Sequence, residues 1–236
     1  VDVFVDQWIH RGGEPKFRVN YFENPSEIKF IVEQIHEKDE VVRDFEIPVD
    51  MAVYYKDGKI QRFTQKLKSS TETFSVNRDG DIDFILFDEG SFVLKEVAFN
   101  KSEAAYLSQF QKAEYMLDRY DALVALRGSK AELKRDALIQ SFSKERFDFI
   151  RAEIATRLLA DSGVPFALIT SISKDPQAQV RLSFAQNAPI LKSTEKLFEN
   201  LLTDSSYVII ETVLERIYDD PLFAPRQSTL LDKINN

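Results

Sequence analysis

Hydrolysis at a metal ion needs neutral imidazoles and carboxylates converging on one point, most simply two histidines one helical turn apart. This sequence holds two histidines in all, His10 and His36, both in a stretch that reads as strands. Each is expected to be a surface or strand histidine. A serine nucleophile needs a base and a strained turn of the Gly-x-Ser-x-Gly kind to present its hydroxyl, and no such elbow occurs. Phosphate loops need closely spaced glycines so that backbone amides can approach the anion; Gly12 and Gly13 are the one adjacent pair among seven Gly. The run Asp79-Gly80-Asp81-Ile82-Asp83 sets hard oxygens at alternate positions, as calcium requires. The closing Glu of a calcium loop is missing, because the twelfth position counted from Asp79 is Gly90. A solvated hairpin is the expected role of this run, and Asp219-Asp220 before Pro221 reads as a helix end. The 39 acids always offer carboxylate pairs, and nothing singles one out. No catalytic, cofactor-binding or metal-binding residue is therefore assigned.

The bulk composition describes a globular chain able to bury a sizeable core. Hydrophobic residues make up 44%, charged residues 30% and aromatic residues 12% of 236, with no apolar run long enough to cross a bilayer. A net charge of −8, with Lys and Arg scattered among acids, argues against a nucleic-acid surface. No membrane partner is expected. Cysteine is absent, which excludes disulfides and thiolate metal sites and leaves the compartment open between cytoplasm and cell envelope. The start at Val1, without Met and without a signal-type leader, reads as an excised piece of a longer protein.

Two periods divide the chain. Up to about residue 100, short runs rich in Val, Ile, Phe, Tyr and Thr recur at roughly ten-residue spacing, the pattern of an antiparallel β-sandwich. Strands are expected at 17–23, 28–35, 47–55, 59–67, 71–76, 82–87 and 92–99, with primed hairpin turns at Asp57-Gly58 and Asp79-Gly80. Beyond residue 100 the apolar spacing becomes three and four. A long helix is expected over 102–126, ended by Gly128, with pairs of shorter helices after it. The domains so defined are 1–100 and 101–236.

The helical pairs repeat at offsets of 30 and 29 residues. The first helices align Leu138, Leu168 and Leu197, then Ile139, Ile169 and Phe198, then Phe142, Ile172 and Leu201. The second helices align Ile150, Val180 and Ile209, then Ile154, Phe184 and Val213, then Leu158, Ala188 and Ile217. Each turn between paired helices carries an acid, Glu145, Asp175 or Asp204, expected to cap the second helix, with Pro176 at its first position. Six residues after the first two acids come Arg151 and Arg181, placed to reach an acid of a neighbouring turn. The fold class expected is a multidomain β-then-α chain, an antiparallel β-sandwich followed by a HEAT-like superhelical array.

The stretch 4–19, with Trp8, Gly13 and Pro15 in that order, resembles a junction in the aminopeptidase N family of zinc peptidases. There the chain leaves the last helix of the catalytic domain and enters the first strand of a sandwich. Phe45-Glu46-Ile47-Pro48-Val49 followed by Asp57-Gly58-Lys59 is similar to that family's sandwich domain, and Leu201–Tyr207 to a hairpin of its C-terminal helical domain. The resemblance implies that residues 1–15 lead out of a missing catalytic domain. The zinc, its ligands, the glutamate base that would activate a zinc-bound water, and the loop reading the peptide N-terminus would all belong to that missing part. No His-Glu-x-x-His and no Gly-x-Met-Glu-Asn is present to carry them here. The implied function is that of an accessory, non-catalytic part of a zinc aminopeptidase, shaping and closing its substrate cavity. Its partners would be the catalytic domain and, in the full-length parent, the peptide substrate; no motif says which Arg or Lys would touch the peptide. The alternative is a protein-interaction scaffold, or part of an aminopeptidase-like protein whose zinc site has decayed, as in a subunit of a general transcription factor.

Overall fold

In a computed structural model, residues 2–227 and 229–230 are described, with side chains from Phe4 onward. Residues 1, 228 and 231–236, at the outer ends of the two expected domains, lie outside the described residues. Strands come first and helices follow, and the chain divides into two compact units, Val1–Arg127 and Gly128–Asn236.

The first unit opens on a helical turn, α1 (Asp2–Val5), which widens over Asp6–His10 before the chain straightens. Seven strands follow: β1 (Lys16–Glu23), β2 (Glu27–Gln34), β3 (Ile47–Tyr55), β4 (Ile60–Leu67), β5 (Thr71–Asn77), β6 (Ile82–Phe87) and β7 (Glu96–Ala98). They form two sheets in an open, sandwich-like arrangement, ordered β5-β2-β1-β7 and β4-β3-β6. Period-two alternation sends Phe17, Val19, Ile28, Phe30 and Val32 of one sheet and Ile47, Val49, Met51, Val53 and Ile85 of the other into one apolar core. On β3 the alternation stops at Met51, and Ala52, Val53, Tyr54 and Tyr55 are all buried. The reason is a second cover. Ala52, Tyr54, Phe84 and Leu86 on the other face of that sheet form a separate core with Ala113, against which Ala105 and Ile60 pack.

Three expectations need correction here. Gly58 has the positive φ (91°) of a hairpin turn between β3 and β4, but Gly80 does not, and β5 and β6 belong to different sheets. Asp79-Gly80 is a crossing from one sheet to the other. The strand expected over 92–99 shrinks to β7, which pairs in parallel with β1. Asp88, Gly90 and Ser91 all take positive φ, and the buried Lys95 is drawn onto Asp88, so this stretch is spent on a turn instead of a ladder. The long helix breaks into α2 (Glu103–Lys112) and α3 (Met116–Ala125), which pack on each other. Ala113 and Tyr115 are extended at the break, and the guanidinium of Arg119 donates to the freed carbonyls of Ala113 and Glu114 at 3.2 and 2.9 Å.

The second unit holds three helical hairpins: α4 (Ala131–Phe142) with α5 (Asp148–Leu159), α6 (Phe166–Ser173) with α7 (Ala178–Asn187), and α8 (Glu195–Leu201) with α9 (Tyr207–Ile217). The second helices stack in succession, α5 on α7 and α7 on α9. All nine aligned positions of their stripe are buried, from 0% to 3% exposed. On the first helices the stripe is less uniform: Ile139, Leu168 and Ile169 are half-buried, whereas Phe198 is fully enclosed.

The acidic turns repeat as geometry. Arg151 grips Asp175 with two bonds of 2.9 and 2.8 Å and donates to the carbonyl of Glu145 at 2.9 Å. One hairpin on, Arg181 grips Asp204 at 2.7 and 2.8 Å and donates to the carbonyl of Asp175 at 2.9 Å. The acids do not cap the helices directly. Each accepts the N–H two residues on, Phe147, Gln177 or Ser206, which is the residue just before α5, α7 or α9. Pro176 accordingly lies outside α7.

Candidate functional site

The residues flagged by sequence are dispersed. His36 is buried, with its ring edge-on to Phe45 and Nε2 at 3.1 Å from the carbonyl of Arg43, while His10 is exposed on the opening turn. Among the described residues no group of three His, Asp or Glu is placed to hold a metal ion, so the residues present do not fit a zinc site. The Asp79–Asp83 run is no calcium cradle either. Each of its acids already faces a cation: Asp79 meets Lys59 at 2.5 Å, Asp81 meets Arg78 at 3.2 Å and Asp83 meets Lys112 at 2.5 Å. Gly13 takes φ +84°, and a Cβ there would come within 3.0 Å of Val42, which explains the glycine as a close-packed entry to β1.

Where polar groups do converge, sequence reading assigned nothing. The turn after β6 is the centre of two linked clusters. In one, Glu89, 6% exposed, accepts the Tyr54 hydroxyl at 2.7 Å and a double bond from Arg62 at 2.6 and 3.0 Å. Arg62 reaches on to Glu114, in the link between α2 and α3, at 2.7 Å. Burial, together with the bond to Glu89, pushes the Tyr54 phenol well above its ordinary range, and the Arg62 guanidinium, held between two carboxylates, is pushed up likewise. This cluster ties β3, β4, the turn and the helix pair together.

The second cluster lines a cavity of about 420 Å³ between the end of β6, the 91–101 segment and the α2–α3 pair. Asp118, on α3, is 4% exposed and accepts the Gly90 N–H at 2.9 Å. Desolvation raises its carboxyl to about 6; the charges of Glu89 and Asp121 add to the rise, while the Gly90 bond and Lys101 oppose it. Asp121, three residues along the same helix, is exposed as a residue, yet desolvation at its carboxyl raises it too. Lys101 lies opposite. Its ammonium bonds to Gln109 Oε1 at 2.6 Å and lies over the rings of Phe99 and Tyr106 at 4.8 and 5.8 Å. Desolvation lowers it to about 8, against the pull of Asp118 and Asp121. Gln109 in turn donates to the backbone carbonyl of Asp118 at 2.7 Å, so the amide fixes both walls. The i, i+3 spacing of Asp118 and Asp121 was visible in the sequence, and a helix over 116–125 puts both on one face. Lys101 joins them only through the break between α2 and α3.

The family-like stretches meet each other in space. Trp8 packs on Phe45 with ring centroids 5.3 Å apart, and Gln7, 4% exposed, accepts the Glu46 N–H at 2.7 Å.

No family model matches the sequence, and no curated protein matches it. Among solved structures the chain is similar to the crystal structure of Legionella pneumophila aminopeptidase A in complex with aspartic acid. The identity is 16% and the TM-score 0.47, over 99% of this chain and 24% of that protein. This chain therefore spans about a quarter of that protein's length. At such an identity and TM-score the likeness defines neither family nor activity. No helix among the described residues is long and apolar enough to cross a membrane.

Proposed function

We propose that this chain is an accessory part of a zinc aminopeptidase of the aminopeptidase N kind, a sandwich followed by a HEAT-like array that shapes and closes the substrate cavity. The observation that carries the reading is the meeting of the two motif stretches at Trp8 and Phe45, with Gln7 bound to the backbone of Glu46. Distant in sequence, both resemble one family's junction and sandwich, and their side chains fit one another. The repeated Arg151–Asp175 and Arg181–Asp204 rungs support a HEAT-like array in the same sense. Zinc and the glutamate base would be supplied by another part of the parent. The residues of this chain would contribute walls and exclusion of water.

The scaffold reading has one observation of its own. Around the entrance of the chain, Phe4, Phe92 and Leu94 are 62%, 72% and 67% exposed beside Trp8, a larger apolar surface than single scattered side chains. The coding frame of the parent separates the two readings. The peptidase reading expects a His-Glu-x-x-His helix and a second ligand glutamate in that frame, and their absence sinks it in favour of the scaffold. This chain by itself is expected to release no chromophore from amino-acid anilides with added zinc. Chelator-sensitive turnover by a clean preparation would overturn that.

A further inference from the structure

The cavity between α2–α3 and the 91–101 segment has no part in the proposed cavity-shaping role. We propose that it is a binding site for a small zwitterion of the α-amino-acid class, its ammonium seated between Asp118 and Asp121 and its carboxylate on Lys101.

The charged lining of the cavity is costly to the fold. Asp118 and Asp121 place two carboxylates on one face of α3, where the charge of Asp121 adds to the rise of Asp118 and desolvation raises Asp121, and Lys101 opposite makes its direct bond to a neutral amide. Near neutral pH Asp118, raised to about 6, and Lys101, lowered to about 8, are charged, and all three groups are partly stripped of water. Apolar residues at these positions would serve packing better, and desolvated charges converging on a cavity mark sites that receive a ligand. The volume lies within the ~300–1,000 Å³ of small-molecule pockets.

The disposition of charge selects the ligand. The remaining cation on the wall, Lys95, is 5% exposed in its side chain and is taken by Asp88, itself at 2%, so Lys101 is left as the receptor for an anion. The acids are left as the receptor for a cation. A simple carboxylate would meet two like charges, and a simple amine would meet the Lys101 ammonium. A molecule carrying both groups a few bonds apart satisfies each wall, and Val97, Phe99 and Val124 border room for an apolar side chain.

The titratable groups lining this centre are Lys95 and Lys101 from the segment, Tyr106 from α2, and Asp118 and Asp121 from α3, with Glu89 acting on Asp118 from the turn and Asp88 held on Lys95. Binding should therefore weaken on both sides of neutrality. It falls as pH drops through about 6 and the Asp118 carboxylate takes a proton, and again as pH rises through about 8 and Lys101 loses one.

Calorimetric titration of the whole chain at pH 7 with neutral L-amino acids (alanine, valine, leucine), and with ethylamine and propionate as half-molecules, tests this. Saturable binding of at least one amino acid is expected, about tenfold or more tighter than either half-molecule. Asp121→Asn and Lys101→Met should each weaken it about tenfold, with thermal unfolding confirming that the variants are folded; Lys101→Gln replaces the second if Met does not fold. The proposal fails if no amino acid binds, if ethylamine or propionate alone binds as tightly, or if neither folded variant changes the affinity.

Discussion

Asp118 is a residue whose chemistry is displaced by its surroundings. It is held at 4% exposure against the Gly90 N–H, and its carboxyl titrates near 6 in the fold against an ordinary value near 3.8. Between those two values the folded chain binds the proton and the unfolded chain has lost it. A raised carboxyl thus contributes stability that is complete below about pH 4 and is lost as pH rises through about 6. An asparagine keeps an acceptor for Gly90 and has no charge to desolvate. Urea unfolding of the original chain and of Asp118→Asn across pH 4 to 7 should therefore show the difference between them swinging toward the variant by about 2 to 3 kcal/mol. Other acids titrate in both proteins and cancel in that difference. A difference that stays flat across the range would show that the carboxylate is solvated and the cavity wet.

Among elements, the acidic turns of the helical hairpins allow a quantitative statement. Arg181 and Asp204 have side chains 13% and 6% exposed, their bond is double, and the same carboxylate orders the turn by accepting the Ser206 N–H. Removing the acid leaves a half-buried guanidinium and an open turn, so Asp204→Ala should cost about 3 kcal/mol by urea unfolding. A double-mutant cycle with Arg181→Met should return a coupling of about 1 to 2 kcal/mol. Lys192, 82% exposed in its bond to Glu195, is the contrast, and Lys192→Ala should be near neutral. Strict additivity in the cycle would reduce the Arg181 rung to decoration. These rungs were legible in sequence because acid and arginine recur at one spacing in successive hairpins. The strands were legible as short runs rich in Val, Ile, Phe, Tyr and Thr, and β3 and β6 stand where those runs put them although both faces of their sheet are covered. The 92–99 stretch defeated that reading. Its residues alternate well enough, but positive φ at Asp88, Gly90 and Ser91 and the burial of Lys95 on Asp88 are long-range outcomes that no local period records. The cavity was missed for that reason too, since Lys101 and Asp118 become neighbours only after the helix over 102–126 has broken at Ala113.

For the whole chain, the change of period near residue 100 and the division of compact units after Arg127 are different boundaries, and they predict different fates for a truncated chain. The β4-β3-β6 sheet is covered on both faces, and its second cover is α2 with the break after it, Ala105 and Ala113 packing over Ala52, Tyr54, Phe84 and Leu86. A chain ending at residue 100 would return those four side chains to water; each large apolar side chain uncovered costs about 1.5–3 kcal/mol. It would also lose Glu114 from Arg62, Lys112 from Asp83 and Asp118 from Gly90. Against a total stability of about 5–15 kcal/mol, that loss is enough to unfold the sheets or leave them molten. A chain ending at Arg127 keeps every one of these contacts. Residues 1–127 should therefore unfold cooperatively in urea with dispersed amide resonances, whereas residues 1–100 should show a collapsed baseline and bind a hydrophobic dye. Equal stability of the two would mean that α2 and α3 only rest on the sheet, and the core they share with β3 and β6 would then count for little.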